Sequence, residues 1–199
     1  MQVIGISGKI GTGKSTLADY VEQAFREQGE YVMRLAFAEL LRREAADHFN
    51  FPVDLTYTQS GKSETIMHPG LPNGYMTVRE ILQWWGTDVR RVQDPAYWTK
   101  KMDMLLFNNG KKAKSSAILL VDDVRFANEA RWVLEKGGVL VRLHPYEGWQ
   151  PGENAGHKSE TDLDDWTDWT LELTPEYGSL EMTAELVKGV WDNVVAHST

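Results

Sequence analysis

The sequence contains no cysteine among its 199 residues. This absence excludes disulfide bonds, thiolate nucleophiles and cysteine-based zinc sites. The chain also lacks a run of about twenty apolar residues, which a membrane-spanning helix needs. Its first residues, 1–5, lack the basic flank and long apolar stretch of a secretion signal. We therefore expect a cytoplasmic protein whose chemistry depends on other side chains.

Positive charge is also scarce, because 21 Lys and Arg stand against 29 Asp and Glu for a net charge of -8. A broad nucleic-acid or anionic-membrane surface needs clustered positive charge, so both classes of partner are disfavoured. Small anionic ligands in a local basic pocket remain compatible with this balance. A hydrophobic content of 42% suits a globular fold, and neither an internal repeat nor a long linker divides the chain. We predict a single domain over residues 1–199.

Apolar runs alternate with helical patterns along the whole chain. Strands alternating with helices predict an α/β sandwich with a mainly parallel sheet flanked by helices. Residues 50–76 are rich in proline and glycine and are predicted to be irregular. Strands are predicted at 3–7, 31–37, 117–121, 139–143 and 169–173, and helices at 14–28, 38–49, 77–91, 95–108, 127–136 and 179–197.

A phosphate-loop pattern lies between the first predicted strand and the first predicted helix. Its glycines allow backbone N–H groups to turn towards a polyphosphate, and the start of the helix adds partial positive charge. Lys14 can bridge the β and γ phosphates, and Ser15 can hold Mg²⁺. The pattern predicts a nucleotide site formed by Gly8, Lys9, Gly11, Thr12, Gly13, Lys14, Ser15 and Thr16.

Two aspartates and an arginine follow the buried run 117–121. A carboxylate at this position would orient the water shell of Mg²⁺. The sequence does not decide between Asp122 and Asp123; we favour Asp123, with the other aspartate capping the next segment. Arg125 can contact a transferring phosphoryl group with its forked donors, and the alternative is an exposed arginine paired with Glu129.

A polar stripe is predicted on the helix that begins after Thr77, where Thr77 and Glu80 form a capping-box pattern. The stripe has a gap at a glycine, which either a ligand or a neighbouring helix could fill. Nearby tryptophans could stack on a nucleobase or pack in the core. The stripe consists of Arg79, Gln83, Gly86 and Arg90, and the tryptophans are Trp84, Trp85 and Trp98.

Taken together, these motifs resemble the phage-type deoxynucleoside monophosphate kinases of the P-loop nucleoside monophosphate kinase group. The likeness is carried by the phosphate loop, the run 78–88 followed by Trp98, Asp123 with Arg125 and Glu129, and His157 with Glu160. It implies a P-loop kinase three-layer sandwich with an acceptor-binding insertion at about residues 38–110. It also implies a mobile, lid-like flap at about residues 144–162.

The resemblance implies transfer of the γ-phosphoryl group of ATP, with Mg²⁺, to a deoxynucleoside monophosphate, giving the diphosphate and ADP. It places this reaction in the cytoplasm, or in the host cytoplasm for a phage-encoded chain. Catalysis would rest on positioning and charge neutralisation by Lys14, Asp123 and Arg125. The implied contacts are Arg42, Lys62, Arg79, Gln83, Thr87, Asp88, Arg90, Trp98, Arg125 and Glu129 for the acceptor, His157, Lys158 and Glu160 in the flap, and Ser15, Asp122 and Asp123 for the metal.

Other functions fit parts of the same pattern. The acceptor could be phosphomevalonate or dephospho-coenzyme A, and a switch ATPase would use the same phosphate loop. The guanine motif Asn-Lys-x-Asp does not occur, which disfavours a GTP-driven switch. The resemblance suggests a homodimer, although the apolar positions of the last helix fit a core equally well; these are Leu186, Val187, Val190, Trp191 and Val194.

Overall fold

The computed structural model describes residues 1–110, 117–151, 156–175 and 180–196, and only the backbone of residues 109, 110, 180–185, 187 and 195. The chain forms two compact units. Unit 1 contains Met1–Ala36 and Asn109–Thr199, and unit 2 contains Phe37–Asn108. None of the helices described is long and apolar enough to cross a membrane. The side chain of Val187, which was predicted as an apolar position of the last helix, is not among those described.

Unit 1 is built on a five-stranded sheet in which all neighbouring strands are parallel. The strand order is β2-β5-β1-β6-β7, and the predicted mainly parallel α/β fold is therefore confirmed. The helix α1 connects β1 to β2, which lies two positions away from β1 in the sheet. The strands are β1 (Gln2–Gly8), β2 (Val32–Leu35), β5 (Ile118–Val124), β6 (Val139–Leu143) and β7 (Leu171–Leu173), and the helices are α1 (Lys14–Glu27), α6 (Ala127–Glu135), α7 (Lys158–Thr161) and α8 (Leu180–Ala196).

Helices cover both faces of this sheet. On one face, alternate residues of the central strands pack against α1 and α8, because successive strand side chains point to opposite faces. On the other face, Gly5 leaves room for α6, since an added Cβ would lie 2.8 Å from a methyl group of Val133. The first layer contains Ile4, Ile6, Leu17, Val21, Phe25, Ile118, Leu120, Val141, Leu186, Val190 and Val194.

The limits of several elements differ from the sequence prediction. β5 continues to Val124, so the prediction that Asp122 and Asp123 follow the strand is wrong. The pairing of β1 with β5 shifts register between Gly5 and Ser7, and such irregularities redirect side chains near functional sites. β2 and β7 are shorter than predicted, since β2 does not include Tyr31, Ala36 or Phe37 and β7 does not include Trp169 or Thr170.

Unit 2 contains helices and a small antiparallel ribbon. The segment 50–76, which was predicted to be irregular, folds into short elements. They pack around a separate core that includes Phe49, Phe51, Leu71, Ile81 and Trp85. The elements are α2 (Phe37–Phe49), a 3-10 turn (Val53–Thr56), α3 (Gln59–Ser63), β3 (Thr65–Met67), β4 (Tyr75–Thr77), α4 (Val78–Gln83), a π-helical segment (Trp84–Arg91) and α5 (Tyr97–Gly110).

The predicted capping box at the start of α4 is confirmed. The backbone N–H of Glu80 donates to Thr77 Oγ1 at 3.3 Å, and Thr77 N–H donates to the Glu80 carboxylate at 2.8 Å. The helix that follows is α-helical only as far as Gln83 and then widens into the π-helical segment. A π-helix bonds i to i+5, so the predicted continuous stripe from Arg79 to Arg90 is wrong beyond Gln83.

The space beside Gly86 is occupied by the neighbouring helix α2. A Cβ at this position would lie 2.7 Å from Leu41 Cδ2 of α2. The backbone carbonyl of Gly86 accepts a hydrogen bond of 3.1 Å from Trp98 Nε1. Of the two explanations for this mid-helix glycine, the structure therefore shows helix packing.

Two glycines of unit 2 should differ in their tolerance of alanine. At Gly61 the added Cβ would lie 2.5 Å from the backbone oxygen of Leu55, whereas at Gly86 it meets the end of a flexible side chain. We expect Gly61→Ala to lower the free energy of unfolding by about 3 kcal/mol and Gly86→Ala by about 1 kcal/mol. Urea unfolding of both variants measures this difference, and equal losses would contradict the clash assigned to Gly61.

Candidate phosphate-binding site

The phosphate loop joins β1 to α1 in unit 1. Gly11 and Gly13 have φ angles of 79° and 91°, a left-handed conformation that glycine adopts readily. Gly8 is required for space as well, because a Cβ there would lie 2.5 Å from the backbone oxygen of Leu143. Thr12 Oγ1 donates to the carbonyl of Lys9 at 2.8 Å and holds the loop closed. Glycine is thus required at these loop positions by backbone conformation and by close packing.

Lys14 is folded back over this loop. The residue is buried, with 8% of its surface exposed. Its Nζ donates to the carbonyl of Lys9 at 2.7 Å. The pKa of Lys14 is lowered to about 8, mainly by burial and also by the nearby Arg125 guanidinium, while the carboxylates of Glu160 and Asp123 oppose this change. Lys14 therefore remains mainly protonated at pH 7. Ser15 and Thr16, in the first turn of α1, are exposed.

The structure separates the two aspartates of β5. Arg34 Nε donates to Asp122 Oδ2 at 2.9 Å, and the same guanidinium pairs with Asp19 of α1. Asp122 is therefore part of an ion-pair network beside α1. Asp123 instead acts electrostatically on Lys14. The choice of Asp123 as the carboxylate at the phosphate loop stays a prediction, and the pairing of Asp122 with Arg34 is compatible with it.

We expect the two aspartates to respond differently to neutralisation. Asp123→Asn should lower kcat for phosphoryl transfer by about 10²-fold, because it removes a charge beside the phosphate loop. Asp122→Asn should lower stability by about 1 kcal/mol and leave kcat within about threefold, because it weakens the pair with Arg34. Steady-state assays and urea unfolding of both variants test this. A larger kcat loss in Asp122→Asn would reverse the assignment.

Arg125 lies just after β5, and its guanidinium pairs with Glu160. Glu129 lies in the first turn of α6. Its buried carboxylate accepts the backbone N–H groups of Arg125 at 2.8 Å and Phe126 at 3.1 Å, which caps the start of α6. The predicted substrate contact at Glu129 therefore falls on a buried capping residue.

The predicted flap contributes residues that contact the phosphate loop. Glu160 Oε2 accepts the N–H of Ile10 at 2.9 Å, and Trp149 Nε1 donates to the carbonyl of Ile10 at 2.9 Å. His157 caps α7 by accepting the N–H of Ser159 at 3.2 Å, while Lys158 is exposed. Part of the predicted flap, residues 152–155, lies outside the described residues.

Arg142 belongs to this site, although the sequence analysis did not identify it. It lies in β6 opposite Ser7 of β1 and lines a small cavity with Lys9, Arg125 and Glu160. Burial lowers the pKa of the Arg142 guanidinium, and this guanidinium in turn lowers the pKa of Lys14. The signal in the sequence was an arginine inside the otherwise apolar strand 139–143, because such a charge requires a specific partner.

Apart from Arg125 and Glu129, the predicted acceptor residues lie in unit 2. Arg79 Nη2 donates to Gln59 Oε1 at 2.6 Å, and the guanidinium of Arg42 lies 5.0 Å from the ring centre of Tyr57. Lys62 lies in the last turn of α3. Gln83 and Thr87 are half-buried and Asp88 is exposed. Gln59 and Tyr57 come from the segment that was predicted to be irregular, and no pattern in the sequence identified them.

Arg90 and Trp98 have structural contacts in unit 2. Trp98 is 2% exposed, so its ring does not present a face for stacking on a base. Arg90 Nε donates to Glu44 Oε1 at 2.6 Å, and its guanidinium lies 4.2 Å from the ring centre of Trp85. This placement does not support the expected acceptor contacts at these two residues.

Glu44 is the centre of this network. Besides Arg90, its carboxylate accepts hydrogen bonds from Trp85 Nε1 at 3.0 Å and Tyr97 Oη at 2.7 Å, and it pairs with Lys101. Burial alone would raise the pKa of Glu44, but the hydrogen bonds from Lys101, Tyr97 and Arg90 hold it below its ordinary value. The carboxylate thus joins α2, the π-helical segment and α5.

Comparison with known proteins gives one sequence relative and several distant structures. A curated protein of Acanthamoeba polyphaga mimivirus, provisionally named a deoxynucleotide monophosphate kinase, is 28% identical over 178 residues, 82% of each chain. This relative confirms the resemblance seen in the sequence. No family model matches the chain.

The structural likenesses are weaker. APS kinase of Mycobacterium tuberculosis, in complex with AMPPNP and APS, is 16% identical and covers 98% of this chain and 97% of its own, with a TM-score of 0.43. Shikimate kinase of Acinetobacter baumannii, in complex with shikimate, is 10% identical and covers 98% and 94%, also with a TM-score of 0.43. Similarity at this level carries no argument about the substrate.

Proposed function

We propose that this P-loop phosphotransferase transfers the γ-phosphoryl group of ATP to a deoxynucleoside 5′-monophosphate, giving the diphosphate and ADP. The observation that carries the proposal is the convergence of positive groups on the phosphate loop of unit 1. Lys14 lies over the loop, and Lys9, Arg125 and Arg142 line the cavity beside it. The nature of the acceptor rests on the sequence resemblance and on the mimivirus relative.

ATP would bind with its β and γ phosphates at the phosphate loop. The backbone N–H groups of the loop and the start of α1 would hold the phosphates, and Lys14 would neutralise them. Arg125 would contact the transferred group with its forked donors. The acceptor phosphate is already an anion at pH 7, so charge neutralisation matters more than a general base.

Magnesium fits the oxygen donors at this site. Ser15 is exposed at the first turn of α1, and Asp123 lies where its charge acts on Lys14. Within the described residues, no group of three or more acidic or histidine side chains could hold a metal ion. Mg²⁺ usually keeps several waters and takes phosphate oxygens as ligands, so one hydroxyl and one carboxylate suffice. When bound, the ion would neutralise charge on the phosphates.

We assign recognition of the acceptor to unit 2. Arg79, which donates to Gln59, and Arg42, which lies over Tyr57 and 3.8 Å from Glu39, carry guanidinium groups that suit an anionic phosphate. Lys62 adds a third cation in α3. Arg90 and Trp98 are omitted because the network of Glu44 and the core of unit 2 account for them.

A coupled assay of ADP release tests the proposal. The protein is incubated with ATP and Mg²⁺ and with each common dNMP, each NMP, phosphomevalonate or dephospho-coenzyme A, and a reaction without acceptor gives the background hydrolysis. We expect one or more dNMPs to stimulate ADP release. Stimulation only by phosphomevalonate or dephospho-coenzyme A would replace the proposed acceptor. Hydrolysis that no acceptor changes would instead favour a switch ATPase.

A further inference from the structure

The segment 157–164 of unit 1, which we name the acidic arm, places two carboxylates at the phosphate loop. Glu160 has a side chain that is 5% exposed, accepts the N–H of Ile10 at 2.9 Å and pairs with Arg125. Asp164 pairs with Lys9 and lies 3.6 Å from Arg142 Nη2. The arm therefore brings two negative charges to three cations and a loop N–H.

The same groups are the ones that would bind phosphate oxygens. An N–H of a phosphate loop and the guanidinium and ammonium groups around it form strong hydrogen bonds with any well-placed anion. The N–H of Ile10 has a single proton, so it cannot donate a strong bond to Glu160 and to a phosphate oxygen at the same time. A carboxylate and a phosphate must therefore compete for it.

The arm is attached to unit 1 at a point between its two carboxylates. Asp162 Oδ2 accepts the N–H of Ala127 at 2.9 Å, and Leu163 is buried. This anchor lies at the start of α6, and the backbone carbonyl of Glu160 separately accepts a hydrogen bond from Lys9 Nζ. Glu160 and Asp164 can therefore leave the loop by side-chain rotation while the arm stays attached.

We propose that Glu160 and Asp164 act as an internal competitor for phosphate at this loop, which polyphosphate must displace in order to bind. In the free protein the two carboxylates pair with Lys9, Arg125 and Arg142. When the polyphosphate of a nucleotide arrives, it takes over these cations and the N–H of Ile10. This inference rests on the proposed function, since it assigns the same loop to nucleotide phosphates, and it adds a contact that weakens binding.

Isothermal titration calorimetry of the full chain with pyrophosphate, and separately with ATP, tests the competition. Glu160→Gln keeps the shape of the side chain but removes its charge, and Asp164→Asn does the same for the second carboxylate. We expect each variant to lower Kd for pyrophosphate and for ATP by about fivefold, the upper range for one partly screened ion pair. Glu135→Gln, an exposed charge change near the far end of α6, is the matched control and should leave Kd within about twofold.

The two ideas fail in different ways. Unchanged or higher Kd values in both arm variants would overturn the competition, while ATP binding by the unaltered chain would leave the proposed function standing. Failure of pyrophosphate to bind to any of these chains would also overturn the competition. ATP binding with the expected gain in the variants, but without stimulation by any acceptor, would support the competition and contradict the proposed function. Asp164→Asn keeps the test valid should Glu160→Gln not fold.

Discussion

Replacing Lys14 with alanine should lower kcat/KM for phosphoryl transfer by about 10³-fold. Lys14 is positioned over the phosphate loop by its bond to the carbonyl of Lys9. Its positive charge would neutralise the bound phosphates. Charges fixed in a partly dehydrated site stabilise a transition state more than charges in water do, and the loss of one such donor costs about 10²–10³ in rate. Steady-state kinetics with ATP and the best dNMP measures the loss.

A second variant separates catalysis from folding. Burial disfavours the charged form of Lys14, as its pKa of about 8 shows, so its charge at pH 7 opposes folding. Lys14→Met keeps the apolar part of the side chain, and we expect it to be inactive but at least as resistant to urea as the unaltered chain. Lys100→Met, at an exposed lysine on α5, is the control and should keep full activity. Near-normal turnover of Lys14→Met would refute the placement of the phosphates.

Replacing Glu44 with alanine should lower the free energy of unfolding by about 3 kcal/mol. The substitution leaves Arg90, Lys101 and the polar atoms of two aromatic rings without their shared carboxylate in a half-buried part of unit 2. Removal of one member of a buried ionic network typically costs about 3–5 kcal/mol, because the remaining charges stay partly dehydrated. Urea unfolding followed by circular dichroism measures the change.

Glu39→Ala is the matched control, because Glu39 also lies on α2 and accepts bonds from Arg43 and Tyr57. Its partners are more exposed, so we expect a loss below about 1 kcal/mol. Similar losses in the two variants would show that Glu44 is not the centre of the network.

The contribution of Glu44 should also depend on pH. Its pKa in the folded protein is held below the ordinary value of 4.5, so the folded state favours the ionised form. The stabilisation is therefore fully present above pH 4.5 and is lost as the pH falls through the lower pKa of the folded state. Unfolding of the unaltered chain and of Glu44→Gln should converge as the pH is lowered below 4.5. A constant difference over this range would contradict the role of the charge.

Local patterns in the sequence were sufficient for the phosphate loop, the capping box of Thr77 and Glu80, and the α/β class of the fold. Each depends on residues that follow one another closely in the chain. The glycines of the loop have their φ angles because of the local backbone, and the capping box joins residues three positions apart. For the same reason, apolar runs such as residues 139–143 indicated buried strands without knowledge of their neighbours.

Tertiary structure alone decided how charged residues are paired. Asp122 and Asp123 are adjacent in the sequence, yet the sheet directs one to Arg34 and places the other where it acts on Lys14. The widening of the helix after Gln83 ended the predicted polar stripe and left Arg90 beside Glu44.

The sequence by itself determined that a phosphate loop precedes a helix in an α/β fold, because neighbouring residues fix those conformations. Only the folded chain decided which charges surround the loop. Lys9 and Glu160 are 151 positions apart, and Arg142 reaches the same cavity from another strand. Such contacts depend on strand order and register, and these are set by the packing of the whole sheet rather than by any short segment.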